Sequence, residues 1–360
     1  MNLPEQNECT TKDTLKESAP ISVVVPCYNC EEYIGACLDS LLSQELLPQE
    51  IICIDDGSTD NTAGVLAEFA LRSSLVNLIS KDNEGPWAAR LDGISAAKGD
   101  YIAFVDGDDT VDARYLLALY EKAIQTDSDI TICGFYRKRS GTDEILSEEF
   151  CSERTSFLVP EHPEEMISVN PAPWNKLFRA QVLKSIPQID DEPVMFDDLI
   201  LLLLAGLRVR GRVSFVPEPL VNYYVRSGSL INSVTYNQVL AGMNSLQQVR
   251  GIYESMGVPS SYLEVLSVIA FVHLGVSMQF RIEGSAEDHR RFAAEAKGFL
   301  DSNFSEWQAS DYLGMSYCFK KKGLFLKAYI ALCAYRMHLF GQLIFMYRCM
   351  LSRSGQTMSW

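Results

Sequence analysis

Apolar and polar positions alternate along the first third of the chain so as to predict strands and helices by turns. Ile21–Val25 is a short β-branched run, the pattern of a buried strand. Residues 31–43 then place Tyr33-Ile34, Cys37-Leu38 and Leu41-Leu42 at helical spacing. A second strand is predicted over 50–54 and a helix over 59–72, with Val65-Leu66 and Phe69-Ala70 on one face. A third strand follows over 77–80, and a third helix over 86–97 is closed by Lys98-Gly99. Tyr101–Val105 is a fourth strand and 112–126 a fourth helix. After residue 130 the alternation weakens, and 137–165 reads as polar and loop-rich. Leu199–Leu207 is a nine-residue apolar run that predicts a buried helix. Val213–Val216 and Leu220–Val225 read as two strands, and the chain from 236 onward as helical.

Alternation of this kind implies an α/β fold with a mostly parallel central sheet flanked by helices. Ligands in such sheets bind beyond the carboxyl ends of the strands. Those ends carry Pro26-Cys27-Tyr28-Asn29, Asp55-Asp56-Gly57-Ser58, Lys81-Asp82-Asn83 and Asp106-Gly107-Asp108-Asp109. Carboxylates gathered on one sheet edge repel each other and are best tolerated around a cation.

Composition narrows the class. The 360 residues are 47% hydrophobic and 22% charged, which is globular rather than disordered. A formal charge of −16 excludes a general nucleic-acid binder, which needs a basic surface. Residues 1–19 read as a disordered polar tail, without the apolar core of a signal peptide or anchor. Val265–Phe280 is the longest apolar run free of Asp, Glu, Lys and Arg, shorter than the roughly 20 residues that span a bilayer. A buried helix and a cytoplasmic protein are expected. The ten cysteines lie mostly within apolar segments and read as reduced thiols. Cys27 and Cys30 form a CxxC pair, but no second pair has the spacing zinc needs.

Two acidic motifs carry candidate chemistry. Asp106-Gly107-Asp108 places two carboxylates one residue apart in a turn, where both can face a hard divalent cation such as Mg2+ or Mn2+. Such an ion neutralises a diphosphate leaving group. Asp197 and Asp198 open the buried helix. There they can serve as a general base for a hydroxyl acceptor or simply cap the helix. Trp174, after Pro171-Ala172-Pro173, can stack on an acceptor sugar or fill the core. Arg90 can reach a phosphate or base, or pair with Asp92 or another carboxylate.

Together, the segments 21–29, 54–60, 89–102 and 104–109 resemble the family-two glycosyltransferases of the GT-A fold, in order and spacing. A weaker match continues through 174–178, 196–198 and 223–229. The resemblance implies a nucleotide-sugar-binding half at 20–110 and an acceptor-binding half at 111–235, followed by a helical C-terminal region at 236–360. It places Pro26 and Tyr28 about the nucleotide base, with Asn29 beside them. Asp55 and Asp56 bond the base edge, and Asn83 and Arg90 lie along its pocket. Asp106 approaches the ribose, and Asp108 binds the metal with Asp106. Asp198 falls where the family has its base, with Asp197 in place of the usual Glu. Arg226 and Ser229 touch the diphosphate. Leu91 departs from the family's Arg-Asn-x-Gly pattern, and Gly107 replaces a common Ser. Gln247–Gly251 is similar to the QxxRW motif of processive synthases but lacks its Trp.

The implied activity is inverting transfer of a single sugar, commonly from a UDP-sugar, to a glycan or lipid-linked acceptor in surface polysaccharide biosynthesis. A haloacid-dehalogenase-type phosphatase also fits Asp106–Thr110, but that motif normally follows the first strand and leaves Asp55–Ser58 unexplained. A non-catalytic sugar-binding protein is the third class. Beyond Asp311 the chain has seven Lys or Arg and no Asp or Glu, so residues 1–311 carry −23 against −16 for the whole chain. Such a basic, aromatic end at 312–353 suggests peripheral contact with an anionic membrane, or packing on the catalytic domain or a second subunit as a homodimer.

Overall fold

The computed structural model describes residues 18–142, 144–226, 236–282 and 285–354. The tail predicted at 1–19 lies outside this set up to residue 17. Ser18 and Ala19 already belong to a strand, paired with Leu47 and Pro48.

The first half follows the predicted alternation: β1 (Ser18–Cys27), α1 (Ile34–Leu42), β2 (Leu47–Asp56), α2 (Thr62–Arg72), β3 (Val76–Lys81), α3 (Pro86–Ala96) and β4 (Tyr101–Phe104). Ile21, Val23, Val24 and Val25 are wholly buried, because helices cover both faces of this parallel sheet. β1 pairs in parallel with both β2 and β4, and β2 with β3, in the order β3-β2-β1-β4. Chain order reverses between β1 and β4, and a crevice forms beyond the carboxyl ends of strands at such a point. The stop after α3 has a physical cause. Buried Glu50 accepts the Lys98 N–H (2.7 Å), and Ser22 Oγ accepts that of Gly99 (2.9 Å). A Cβ on Gly99 would lie 2.7 Å from the Pro20 carbonyl oxygen, so only glycine lets β4 approach β1 here.

The second half is more regular than its sequence suggests. β5 (Thr110–Val111) and α4 (Tyr115–Thr126) lead into β6 (Ser128–Arg139), a twelve-residue strand within the stretch read as weakening. Two of its buried polar side chains, Ser128 and Asp129, are paired. Ser128 Oγ meets Ser214 Oγ at 2.6 Å, and Asp129 accepts from Arg179 Nε and the Arg210 and Gly211 N–H groups. β7 (Ile145–Glu149) and β8 (Phe157–Leu158) are short additions within the expected loops. β9 (Lys176–Arg179) runs antiparallel between β4 and β6. After α5 (Ala180–Lys184) and the buried α6 (Asp197–Gly206), the two predicted strands form one, β10 (Arg212–Val225), parallel to β6. Its pairing shifts register around Pro217 and Pro219, since proline has no N–H for the ladder.

The helical region consists of α7 (Tyr236–Ser255), α8 (Ser260–Ala270), α9 (Ala286–Asn303), α10 (Met315–Lys321), α11 (Gly323–Arg336) and α12 (Phe340–Ser354). It shares one apolar cluster with α6 and a face of the sheet, while α1, α2 and α4 cover the other face. α8 continues through a π-helical and a 3-10 turn to Phe280. Ser260–Phe280 is long and apolar enough to cross a membrane, but 78% of its apolar window is buried inside the protein. Arg250, within the QxxRG segment, is structural: it pairs with Glu254 (2.6 Å) and Glu306 (2.7 Å).

Candidate active site

The loops beyond β1, β2 and β3 are stitched into one rim. Asn29 adopts a positive φ of 48°, and its Oδ1 accepts the Thr59 N–H at 2.8 Å, while its own N–H donates to Ser58 Oγ at 3.1 Å. Asp55 accepts the Ser58 N–H at 3.2 Å. Asp56 accepts the N–H groups of Glu84 (3.0 Å) and Gly85 (2.7 Å), which fixes the entry to α3. Gly57, at φ 70°, lets Asn83 close on this turn, since its Cβ would stand 2.7 Å from the Asn83 nitrogen. Pro26 is half-buried, and Tyr28 keeps half its surface open beside it.

The acidic turn beyond β4 joins the same rim. Asp109 N–H closes it onto the Asp106 carbonyl at 3.0 Å. A Cβ on Gly107 would lie 3.2 Å from both the Pro26 carbonyl and Cys30 Sγ, so this turn rests on the β1 loop. Oxygens of Asp106, Asp108 and Asp109 lie within 4.8 Å of one another. Asp109 is buried. One of its oxygens accepts the Tyr224 N–H at 2.9 Å, and the other has no hydrogen-bond partner. Burial, with Asp106 nearby, holds its carboxyl well above the usual range. Three clustered carboxylates and an orphaned buried oxygen fit a hard divalent cation. Arg226 competes for Asp108: it bonds the carboxylate and the backbone carbonyl, with its guanidinium 4.2 Å from the centre of the Tyr33 ring.

Asp197 and Asp198 open α6 after Phe196, which is held at φ 64°. Neither side chain caps the helix. Both turn to Arg90, whose side chain is 8% exposed. Its Nη1 donates to Asp197, and its Nη2 lies 3.1 Å from Asp198 and 3.8 Å from Asp106. Burial pushes the Asp198 carboxyl up to about 7 against the pull of Arg90, with Asp197 and Asp106 adding to the rise. Asp106 is likewise raised by burial, against Arg90.

Residues 22–186 match the sequence profile of Glycosyl transferase family 2. This segment belongs to that family. The chain is 33% identical over 215 residues to the uncharacterized glycosyltransferase EpsJ of Bacillus subtilis, covering 58% of this chain and 62% of EpsJ. It thus spans less than two thirds of that relative. It is 28% identical over 234 residues to the glycosyltransferase GlyG of Streptococcus pneumoniae, covering 59% and 73%. Its GT-A fold is similar to that of S. aureus TarS 1–349, crystallised in complex with UDP-GlcNAc. The TM-score is 0.64 at 20% identity, covering 94% of this chain and 93% of that one.

Membership of family 2 leaves the phosphatase alternative without support. Within the family-two segment, the contacts of two residues follow the second of the two readings the sequence left open. Trp174 is 7% exposed, stacked on Tyr223 (5.3 Å between centroids, 5° between planes) and edge-on to Phe135, so packing accounts for its ring. Arg90 pairs with Asp197 and Asp198 rather than with Asp92, which pairs with Lys81. Ser229 lies outside the described residues. Cys27 and Cys30 are buried free thiols. The sequence pattern missed Tyr33 and Lys176. Tyr33 follows the β1 loop directly, and Lys176 stands in the Trp-Asn-Lys motif, where it donates to Asn170, Ala172 and Asn175.

Arg90→Met leaves three carboxylates without their shared partner. Chemical denaturation is expected to show a loss of about 3 kcal/mol, the low end for a broken buried pair because the carboxylates keep some water. An unchanged midpoint would contradict this.

Proposed function

We propose that this protein is an inverting glycosyltransferase that moves one hexosyl or N-acetylhexosaminyl unit from a UDP-sugar to a hydroxyl acceptor. The observation that carries the reading is the junction at Arg90. It brings the acidic turn, which adjoins the loops of the nucleotide side, against a carboxylate suited to take a proton. A UDP donor is supported by TarS, which shares the fold and was crystallised with UDP-GlcNAc and with UDP. A glycan or lipid-linked acceptor in surface polysaccharide assembly is supported by relatives such as the poly(ribitol-phosphate) beta-glucosyltransferase of Bacillus spizizenii, 42% identical over 116 residues.

The site residues divide the chemistry among them. Tyr28, beside Pro26, offers an open ring for a nucleobase. Asp55 and Asp56 hold the rim while keeping lone pairs for a base edge. Asp106 and Asp108 would hold Mg2+ or Mn2+, with Asp109 behind them. When bound, that ion neutralises charge on the departing diphosphate. Arg226 lies beside Asp108, where it can turn to a phosphate oxygen. Asp198 accepts the acceptor's proton as its oxygen attacks the anomeric carbon. One displacement inverts the configuration, and Arg90 keeps Asp198 in line with the acidic turn.

The basic C-terminal end supports peripheral attachment to an anionic membrane face. Met315, Phe319, Ile330, Leu343 and Met346 are exposed there, and so are Lys320 and Lys322. Phe325, Leu332 and Tyr335 are buried in the common core, so only the outer face is free for this role.

Asp198→Asn is expected to abolish release of UDP from the donor while leaving UDP affinity unchanged by calorimetry. In the parent protein the rate should fall as pH drops through about 7, because a protonated Asp198 cannot take the proton. Full turnover by the Asn variant would refute the assignment. For the membrane face, the full chain should float with anionic vesicles and not with neutral ones, and Lys320→Glu with Lys322→Glu should abolish flotation. Equal flotation of parent and variant would remove the idea.

A further inference from the structure

Arg226 bonds the carboxylate that a metal ion would need, and the fold leads it there. β5 pairs antiparallel with β10, with Val111 opposite Val221 and Thr110 opposite Asn222. The contact continues past β5, where the Tyr224 N–H donates to Asp109 at 2.9 Å, and Asn222 Nδ2 donates to Thr110 Oγ1 at 3.0 Å. The strand is held to its last residue, since the Val225 carbonyl accepts the Ser140 N–H at 3.2 Å. The root of the Arg226 side chain is therefore set beside the acidic turn. Its guanidinium stands on a long stem that can turn while the strand stays in place.

That guanidinium lies over the face of Tyr33, 4.2 Å from the ring centre, and forks onto Asp108. Nη1 donates to the carboxylate and Nη2 to the backbone carbonyl. The buried Nε has no hydrogen-bond partner among the described residues, so one donor is left over. A hard divalent ion binds through carboxylate oxygens, and those of Asp106, Asp108 and Asp109 lie within 4.8 Å of one another. A guanidinium and a divalent ion on the same carboxylate repel each other. Arginine does not lose its proton, so it cannot give up Asp108 by titrating. It gives way to a second anion of matching shape, and a diphosphate offers the oxygen pairs that its planar fork fits. A metal ion arriving with a diphosphate brings little net charge. One arriving alone brings two positive charges to a carboxylate that already has a partner.

We propose that Arg226 gates the metal site. Its guanidinium and the divalent ion exclude each other at Asp108, and a nucleoside diphosphate decides between them by drawing the guanidinium onto its phosphates, so that metal and diphosphate bind as a pair. This rests on the acidic turn being the metal site of a UDP-sugar transferase. Tyr33 is the shelf across which the guanidinium turns. Metal and diphosphate each tighten the other by the same factor, and Arg226 enlarges that factor.

The test measures Mn2+ binding to the full chain by electron paramagnetic resonance of the free ion, without UDP and with saturating UDP. The parent is compared with Arg226→Met, which loses fork and charge, and with Arg226→Lys, which keeps the charge and loses the fork. Without UDP, the Met variant should bind Mn2+ about tenfold more tightly than the parent and the Lys variant about threefold. In Mn2+, the UDP affinity of the Met variant should fall about tenfold, because a phosphate contact is lost. The factor by which UDP tightens Mn2+ should shrink about tenfold. Opposite shifts on the two ligands are the signature, since a disturbed site would weaken both. A Met variant whose Mn2+ affinity without UDP is unchanged or weaker overturns the proposal, and so does one whose UDP affinity is unchanged. A Lys variant that matches the parent while Met binds more tightly also overturns it, because charge alone then accounts for the effect. If the parent binds no Mn2+ with UDP, or Asp108→Asn binds it as tightly, the acidic turn is not the metal site, and this inference goes with that assignment.

Discussion

One buried guanidinium holds together carboxylates delivered by two distant stretches of chain. Asp106 comes from the turn beyond β4, while Asp197 and Asp198 come from the first turn of α6. Left to themselves, three such groups would repel and the loops carrying them would separate. Arg90, projecting from α3 beneath both, makes their approach favourable. Burial disfavours its charge, but the three carboxylates more than restore it. The acidic turn and the α6 pair are therefore not independent parts of this fold. A shift in one is felt by the other through a single side chain.

The surrounding architecture serves that junction. β1 and β4 lie side by side where chain order reverses, so the β1 loop and the acidic turn meet at Gly107. β9 then inserts antiparallel between β4 and β6, and it carries Lys176 into the middle of the sheet. The helical region closes the same apolar cluster as α6 and thereby fixes the helix that presents Asp197 and Asp198. Charge is balanced locally: Arg226 faces Asp108, and Arg90 faces Asp106 with the α6 pair.

The first half was legible because its strands are covered on both faces and its loops are short. β-branched runs and turn signals then report the structure directly. The acidic turn and the α6 pair were legible for the same reason, since each adjoins a clear element boundary. β6 was obscured because Ser128, Asp129 and Thr131 break its apolar run; Ser128 and Asp129 have cross-strand or loop partners that no local pattern shows. The prolines at 217 and 219 split one strand into two apparent ones. Local pattern left two readings open for Arg90 and for Trp174, because their contacts lie far along the chain, at Asp197 and Tyr223. Whether Asp197 and Asp198 cap α6 depends on where their side chains turn, which spacing cannot encode.

The central claim is that the acidic turn and the adjoining loops hold a nucleoside diphosphate through a divalent ion. Calorimetric titration of UDP into the full chain, in Mn2+ and then in EDTA, with Asp108→Asn in parallel, addresses it most directly. The account predicts saturable binding in Mn2+ that is lost in EDTA and strongly weakened by the Asn substitution. Equal UDP affinity in all three conditions would contradict it.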